Sequence, residues 1–265
     1  MKSVLPALWN YRYFVLSSIQ GEFRARFVRS KLGAFWMVIN PLAQAIILAL
    51  VLAEVMGAKL PGMANDKFAY AVYLMSGMLA WALFTEMISR CLTLFIDNAN
   101  ILKKIAFPRI CLPLIVAGSV LLNNVLLFLA IIIVFGVLGH VPGAQVAWVP
   151  LLMLVTLALA MGIGLILGVL NVFVRDVGQV VPVVLQLGFW FTPIVYSPNI
   201  LPDNMRLVLE MNPMTTVVQR YQNAMLFNTS PDFAGLGWLV LVTFFLLGVS
   251  LIMFRRASAE MVDVL

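Results

Sequence analysis

Apolar residues in this chain fall in long, nearly unbroken runs, not in the short alternations of half-buried strands. A bilayer core of about 30 Å is crossed by about 20 residues of α-helix, each rising about 1.5 Å. Runs of that order occupy residues 34–57, 69–96, 110–138, 146–174, 177–196 and 233–254. The third and fourth are long enough to tilt. The pattern predicts an all-α integral membrane protein, a single domain over residues 1–265 with six transmembrane helices.

The polar stretches between the runs are short. Residues 59–67, with Pro61, Gly62 and Asn65, read as a plain loop, residues 140–145 turn at Pro142-Gly143, and only Arg175-Asp176 separates the fourth run from the fifth. The stretch after Tyr196 differs, because its signals are helical. Pro202 to Met211 makes one short piece, and Asn212-Pro213 starts another, with Asn as N-cap and Pro at the first helical position. In the second piece Val217 and Tyr221, with Met214, Val218, Met225 and Leu226, form an apolar face. Two such helices within residues 199–228 suit a pair that dips into the membrane and closes the exit of a passage. Pro202, Pro213, Val217 and Tyr221 are the gate candidates on that reading. The same pattern also fits two helices lying flat on the headgroups.

Two basic segments flank the early runs. Residues 8–30 mix Trp9, Tyr11, Tyr13, Phe14, Phe23 and Phe27 with arginines, as an amphipathic helix in the headgroup layer does, and Gly21 is expected to break it. No apolar core with a small-residue cleavage site follows Met1-Lys2, so no removable leader is expected. Residues 98–109 read as a short helix begun by Asp97 or Asn98 and closed by Pro108. Ile101, Leu102, Ile105 and Ala106 share one face, and Lys103, Lys104 and Phe107 the other. An aromatic flanked by cations suits a partner's groove with acidic rims. The alternative is an ordinary basic loop, with Phe107 resting on headgroups.

Composition and charge sharpen the picture. The chain is 63% hydrophobic and 11% charged, against about 25% charged in soluble domains. If the N-terminus is cytoplasmic, that side carries Lys2, Arg12, Arg24, Arg26, Arg29, Lys31, Lys103, Lys104, Arg109, Arg175, Arg255 and Arg256. The other side carries only Lys59, Lys67, Arg206 and Arg220. This asymmetry predicts cytoplasmic termini. It also accounts for most of the net charge of +6 without a basic face for nucleic acid.

Polar groups inside the runs are few. Glu86 and Arg90 stand four apart, in the order that favours an intrahelical pair, and either pair with each other or line a polar passage. Of Asn123 and Asn124, one is expected to bond across a helix interface and the other to face a cavity. Gly164 and Gly168 give a small-residue face for close packing. Cys91 and Cys111 read as packing residues, and His140, the only histidine, as a solvated loop residue. Nucleotide-binding, metalloprotease and nucleophile-elbow motifs are all missing from the sequence, so no catalytic or metal-binding residue is assigned and transport outranks catalysis.

Several segments together carry a resemblance. Arg29-Ser-Lys-Leu-Gly33-Ala-Phe-Trp36 leads to Asn40-Pro41, Asn100-Ile-Leu-Lys-Lys-Ile-Ala-Phe-Pro-Arg109 precedes Leu112-Pro113, Arg175-Asp176 follows the fourth run, and Phe191-Thr-Pro-Ile-Val-Tyr-Ser197 closes the fifth. In this order they resemble the permease subunits of ATP-binding-cassette exporters of bacterial surface polysaccharide. The resemblance implies a homodimer in the bacterial inner membrane with two cytoplasmic ATP-binding subunits, exporting a lipid-linked O-antigen or capsule-type glycan. ATP and magnesium belong to the partner, and this chain holds no cofactor. Residues 98–109 become the coupling helix, with Asn98, Asn100, Lys103, Lys104, Phe107 and Arg109 its contact candidates. Residues 1–33 become the cytoplasmic interfacial segment. Aromatic residues would line the sugar passage, with Trp36, Trp81, Phe84, Trp190 and Tyr196 as candidates, although a lipid-facing aromatic belt explains the same residues. Teichoic acid, drug or haem as cargo, or a membrane enzyme of lipid-linked sugar metabolism, are the rival readings.

Overall fold

A computed structural model describes residues 11–28, 35–51, 68–100, 110–230, 232–257 and 260–261 of the chain. Every regular element among them is helical, as lipid requires of a spanning chain that must satisfy its own backbone. The longer helices are α1 (Arg12–Val28), α2 (Phe35–Leu50), α3 (Ala69–Asp97), α4 (Cys111–Val137), α5 (Val149–Phe173) and α6 (Val177–Trp190). After them come the short α7 (Asp203–Glu210) and α8 (Pro213–Gln222), then α9 (Phe233–Ala257). A 3-10 turn over Ala144–Trp148 leads into α5, and a π turn over Asn223–Phe227 follows α8.

Four helices, around α3, α4, α5 and α9, are long and apolar enough to cross a membrane. The other two expected spans come out shorter. Helix α2 is described for 16 residues, the rest of its run lying outside the described residues, and α6 has only 14. At about 1.5 Å per residue α6 is about 21 Å long, short of a full crossing. Its run was expected to continue through Tyr196, but the chain turns after Trp190, where Thr192 donates to the Gly188 carbonyl (2.8 Å) and Pro193 follows.

Helix α3 is the central post. Leu74, Leu79, Leu83, Met87 and Phe95 along it are buried. On one side it meets α5, where Gly164 and Gly168 bring the helices so close that a methyl group at either would strike Cys91. Asn171 donates across the same seam to the Leu92 carbonyl (2.9 Å). Cys91 is free and wholly buried, as a packing residue should be. The close approach expected of the two glycines is what the structure shows.

Helix α1 runs unbroken through Gly21, which was expected to divide it. No side chain or backbone crowds that glycine, and its conformational cost alone does not end a helix held by its neighbours. Helix α1 leans on α4, with Ile19 filling the space left by Gly118. Arg90 of α3 forms an ion pair with Glu22 of α1 at 2.6 Å, not with Glu86. Glu86 instead accepts from Asn123 of α4 at 2.7 Å.

Candidate functional site

Beside its seam with α5, α3 carries Trp81 and Phe84. Trp81 sits near the middle of this helix, and Gly188 on α6 is the residue that admits it, since a methyl group there would lie 3.2 Å from the indole. Phe189 meets Trp81 edge-on with centroids 6.0 Å apart, and Trp190 meets Phe189 edge-on at 5.4 Å. Phe84 completes the group, 5.6 Å from Trp81. These separations are typical of attractive aromatic pairs.

Two cavities open on either side of Trp81. One, of about 560 Å³, lies between α2, α3 and α6, and is lined by Trp81, Phe189, Trp190 and Met78 with the amides of Gln44 and Gln186. The other, of about 600 Å³, lies between α3, α5 and α6 and is almost wholly apolar, with Phe84, Ile88, Leu167, Val181 and Val184 in its wall. Asn212, Pro213 and Met214 close one end of it, so the junction of α7 and α8 reaches the middle of α3.

That reach is built from local chemistry. Asn212 caps α8 by accepting from the Met214 N–H (3.0 Å), with Pro213 at the first helical position, as the sequence predicted. The Asn212 amide also donates to the Thr192 hydroxyl (3.1 Å), fixing the tip to the turn after α6. From there α8 runs back along α3 and α5. Val217 and Tyr221 are buried, with the Tyr221 and Thr156 hydroxyls 3.4 Å apart. A placement flat on the headgroups therefore does not describe α8. Helix α7 keeps Met205, Arg206 and Glu210 exposed, and Pro202 is its N-cap.

The turn between α6 and α7 is held to α3 by two phenols. Tyr70 donates to the Val195 carbonyl (2.7 Å), and Tyr73 to the carbonyls of Tyr196 (2.9 Å) and Pro193 (3.2 Å). Gln222 of α8 donates to Pro193 as well (3.2 Å), so hairpin, turn and post share one network. His140 also takes part at this end. Its Nε2 lies 3.1 Å from the Met225 carbonyl and its ring meets Phe135 edge-on, whereas a freely solvated side chain was expected.

Of the aromatic candidates, the structure brings Trp81, Phe84 and Trp190 together. Trp36 stands apart, exposed on α2, and Tyr196 serves as a brace whose hydroxyl donates to the Trp190 carbonyl (3.0 Å). Phe189, Gln44 and Gln186 were missed. Gln186, Phe189 and Trp190 stand at i, i+3 and i+4, so their common face was legible once a helix was assumed.

The basic segment is described only at its start. Asn98 donates its side-chain amide back to the Leu94 carbonyl (2.8 Å) at the end of α3, and Ala99 and Asn100 directly after it are helical. Asn100 is helical and exposed. Lys103, Lys104, Phe107 and Arg109 lie outside the described residues.

Chemically the arrangement is suited to binding. Aromatic faces bury the CH surfaces of a sugar ring, and amides exchange hydrogen bonds with hydroxyls without demanding one stereochemistry. Among the described residues no three His, Cys, Asp or Glu side chains gather as a metal site would need.

Residues 13–226 match the family described as ABC-2 type transporter. The chain is 30% identical to the O-antigen export system permease protein RfbA of Klebsiella pneumoniae over 76% of both chains. It is 27% identical to the protein of the same name from Myxococcus xanthus over 99% of both. With the polysialic acid transport protein KpsM of Escherichia coli it shares 23% identity over 91% of this chain and 92% of the relative.

Proposed function

The chain belongs to the ABC-2 type transporter family, and from that membership we propose that it forms the membrane passage of an ATP-driven exporter of lipid-linked polysaccharide, with O-antigen its cargo. The observation that carries the reading is the cavity in which Trp81, Phe189 and Trp190 stand beside Gln44 and Gln186. A glycan uses both the aromatic faces and the amides of such a cavity. The names of the relatives above point to the same class of cargo.

A second copy of the chain completes the passage. Ile39, Ile46 and Ile47 on α2 and Val180, Val183, Val184 and Leu187 on α6 are exposed apolar residues available to a second copy. Two cytoplasmic subunits supply ATP hydrolysis with magnesium, and this chain holds no cofactor. Both termini and residues 98–109 face them, in keeping with the cation asymmetry of the sequence. Phe107 between Lys103 and Lys104 is the knob that enters the ATPase. The hairpin of α7 and α8 is the gate on the outer side.

Deleting the chain from its host tests the reading. Lipid-linked polymer is expected to accumulate inside the cell and to vanish from the surface, with wild-type chain restoring it. In the same strain Phe107→Ala is expected to lower co-purification of the ATP-binding subunit, by about 2 kcal/mol of association, and to abolish export. Surface polymer that persists without the chain overturns the exporter reading. Full co-purification and export with Phe107→Ala returns 98–109 to an ordinary basic loop.

A further inference from the structure

We infer that the groove between the ends of α5 and α9 holds a phospholipid with a phosphoethanolamine headgroup, an inference that does not depend on the cargo. Midway along their length the two helices touch, since a methyl group on Gly162 of α5 would lie 3.1 Å from the Leu247 backbone nitrogen of α9. Near the end of α9 its Phe254 is buried and stacks on Phe95 of α3, with centroids 5.4 Å apart. At that level a cavity of about 450 Å³ opens between α5 and α9.

The cavity is apolar along its length and charged at its mouth. Val169 and Phe173 of α5 and Val249 and Ile252 of α9 form its walls, and Arg256 and Glu260 are its two charged residues. Every other lining side chain is apolar. Phe173, Val249 and Ile252 are exposed, so the groove opens outward, where a bilayer offers acyl chains. From Val249 to Arg256 a helix rises about 10 Å, enough to seat the first stretch of such a chain. Arg256 lies in the last turn of α9, a helix long and apolar enough to cross a membrane, which sets its charge at the headgroup level.

The headgroup follows from the two charges, both of which are exposed. Ion pairs among the described residues join Arg90 to Glu22, Arg206 to Glu210 and Arg220 to Asp232, so Arg256 and Glu260 are not paired with each other. Base four residues before acid is the weaker order for a helical pair, and both charges stay open to a ligand. A guanidinium takes a phosphate through charge-assisted hydrogen bonds, and a carboxylate accepts from an ammonium. Phosphoethanolamine carries that phosphate and that ammonium on one short link. A phosphoglycerol headgroup brings the anion but sets it beside Glu260 with no cation between, and phosphocholine brings a cation without an N–H to donate.

The test reconstitutes the full-length chain, with the subunits that co-purify with it, in vesicles holding a trace of phospholipid whose acyl chain is photoreactive and whose headgroup is phosphoethanolamine, phosphoglycerol or phosphocholine. Cross-links are mapped by peptide mass spectrometry, and the yield in the groove is divided by the yield at Phe244 and Phe245, exposed elsewhere on α9. With wild-type chain the phosphoethanolamine probe is expected to give a ratio at least about tenfold above the other two, the scale of one hydrogen bond between charged groups. This comparison needs no variant. Arg256→Gln and Glu260→Gln, both at exposed positions, are each expected to lower the phosphoethanolamine ratio about tenfold. Equal ratios for the three headgroups mark an ordinary lipid-facing groove and overturn the assignment. A ratio highest for phosphoglycerol overturns it in favour of an anion site in which Glu260 has no part. Labelling at Phe244 and Phe245 with none in the groove shows that a protein covers it, and a phosphoethanolamine preference that survives both substitutions takes Arg256 and Glu260 out of the site; either result overturns it as well.

Discussion

The two sides of α3 are built on opposite plans. Around Cys91, the seam with α5 has glycines, a wholly buried cysteine and an interhelical amide bond. Toward α2 and α6 there are rings held apart at centroid distances of 5.4 to 6.0 Å, and cavities of about 560 and 300 Å³. Packing between helices in lipid gains little from burial, since the tails are as apolar as the side chains, and depends on close approach and interhelical hydrogen bonds. The α5 side uses both devices. The α2 and α6 side keeps close approach only at Gly188 and otherwise leaves the open volume that the proposed passage needs. One helix thus serves as a fixed post at the Cys91 seam and as a wall of the proposed passage beside it.

Breaking the fixed side is expected to have the largest effect. Gly168→Leu drives a side chain into the Cys91 backbone carbonyl and Phe95, which is expected to cost about 3 kcal/mol. Thermal unfolding of the purified chain and its abundance in the membrane both report this. A transition at the wild-type temperature would show that α3 and α5 can part without loss.

The hairpin sits between the two plans, packed on the post but ending at the apolar cavity. Asn212→Ala removes the cap on α8 and the bond to Thr192, with an expected loss of about 1 kcal/mol. Cysteines at Val217 and Tyr221 are buried in the wild-type background, and with Asn212→Ala they are expected to label faster with an impermeant thiol reagent. Unchanged labelling would separate the cap from any opening of the hairpin.

The smallest expected effect lies in the brace. Tyr70→Phe removes one hydrogen bond to the Val195 carbonyl, worth about 0.6 kcal/mol between helices in a membrane. A small drop in thermal stability with export retained is the expected outcome. Loss of export at normal stability would mean that the turn after α6 takes a direct part in transport.

The same contrast explains how much could be read from the residues. The all-helical class, the long spans and the Gly164 and Gly168 seam follow from hydrophobic run length and small-residue spacing, which are local properties. The Asn212-Pro213 start of α8 was legible for the same reason, because a cap acts within its own turn. The depth of α8 was not, since an apolar face fits headgroups as well as a bundle interior. The early end of α6 was hidden by Phe191 to Tyr196, which are apolar yet folded back against Tyr70 and Tyr73. Arg90 found Glu22 across 68 residues of sequence, a partner that spacing along one helix cannot reveal. Gln44 joined the site only through the crossing of α2 and α3.

The most direct test of the account is the double variant Trp81→Ala with Trp190→Ala, expressed in the deletion strain at matched membrane abundance, with lipid-linked polymer measured inside the cell and at the surface. Loss of two aromatic faces from the cavity is expected to lower surface polymer at least about tenfold, two stacking contacts together contributing more than about 1.4 kcal/mol, while polymer accumulates inside and the ATP-binding subunit still co-purifies. Surface polymer at the wild-type level would contradict the claim that the aromatic side of α3 is where the glycan passes.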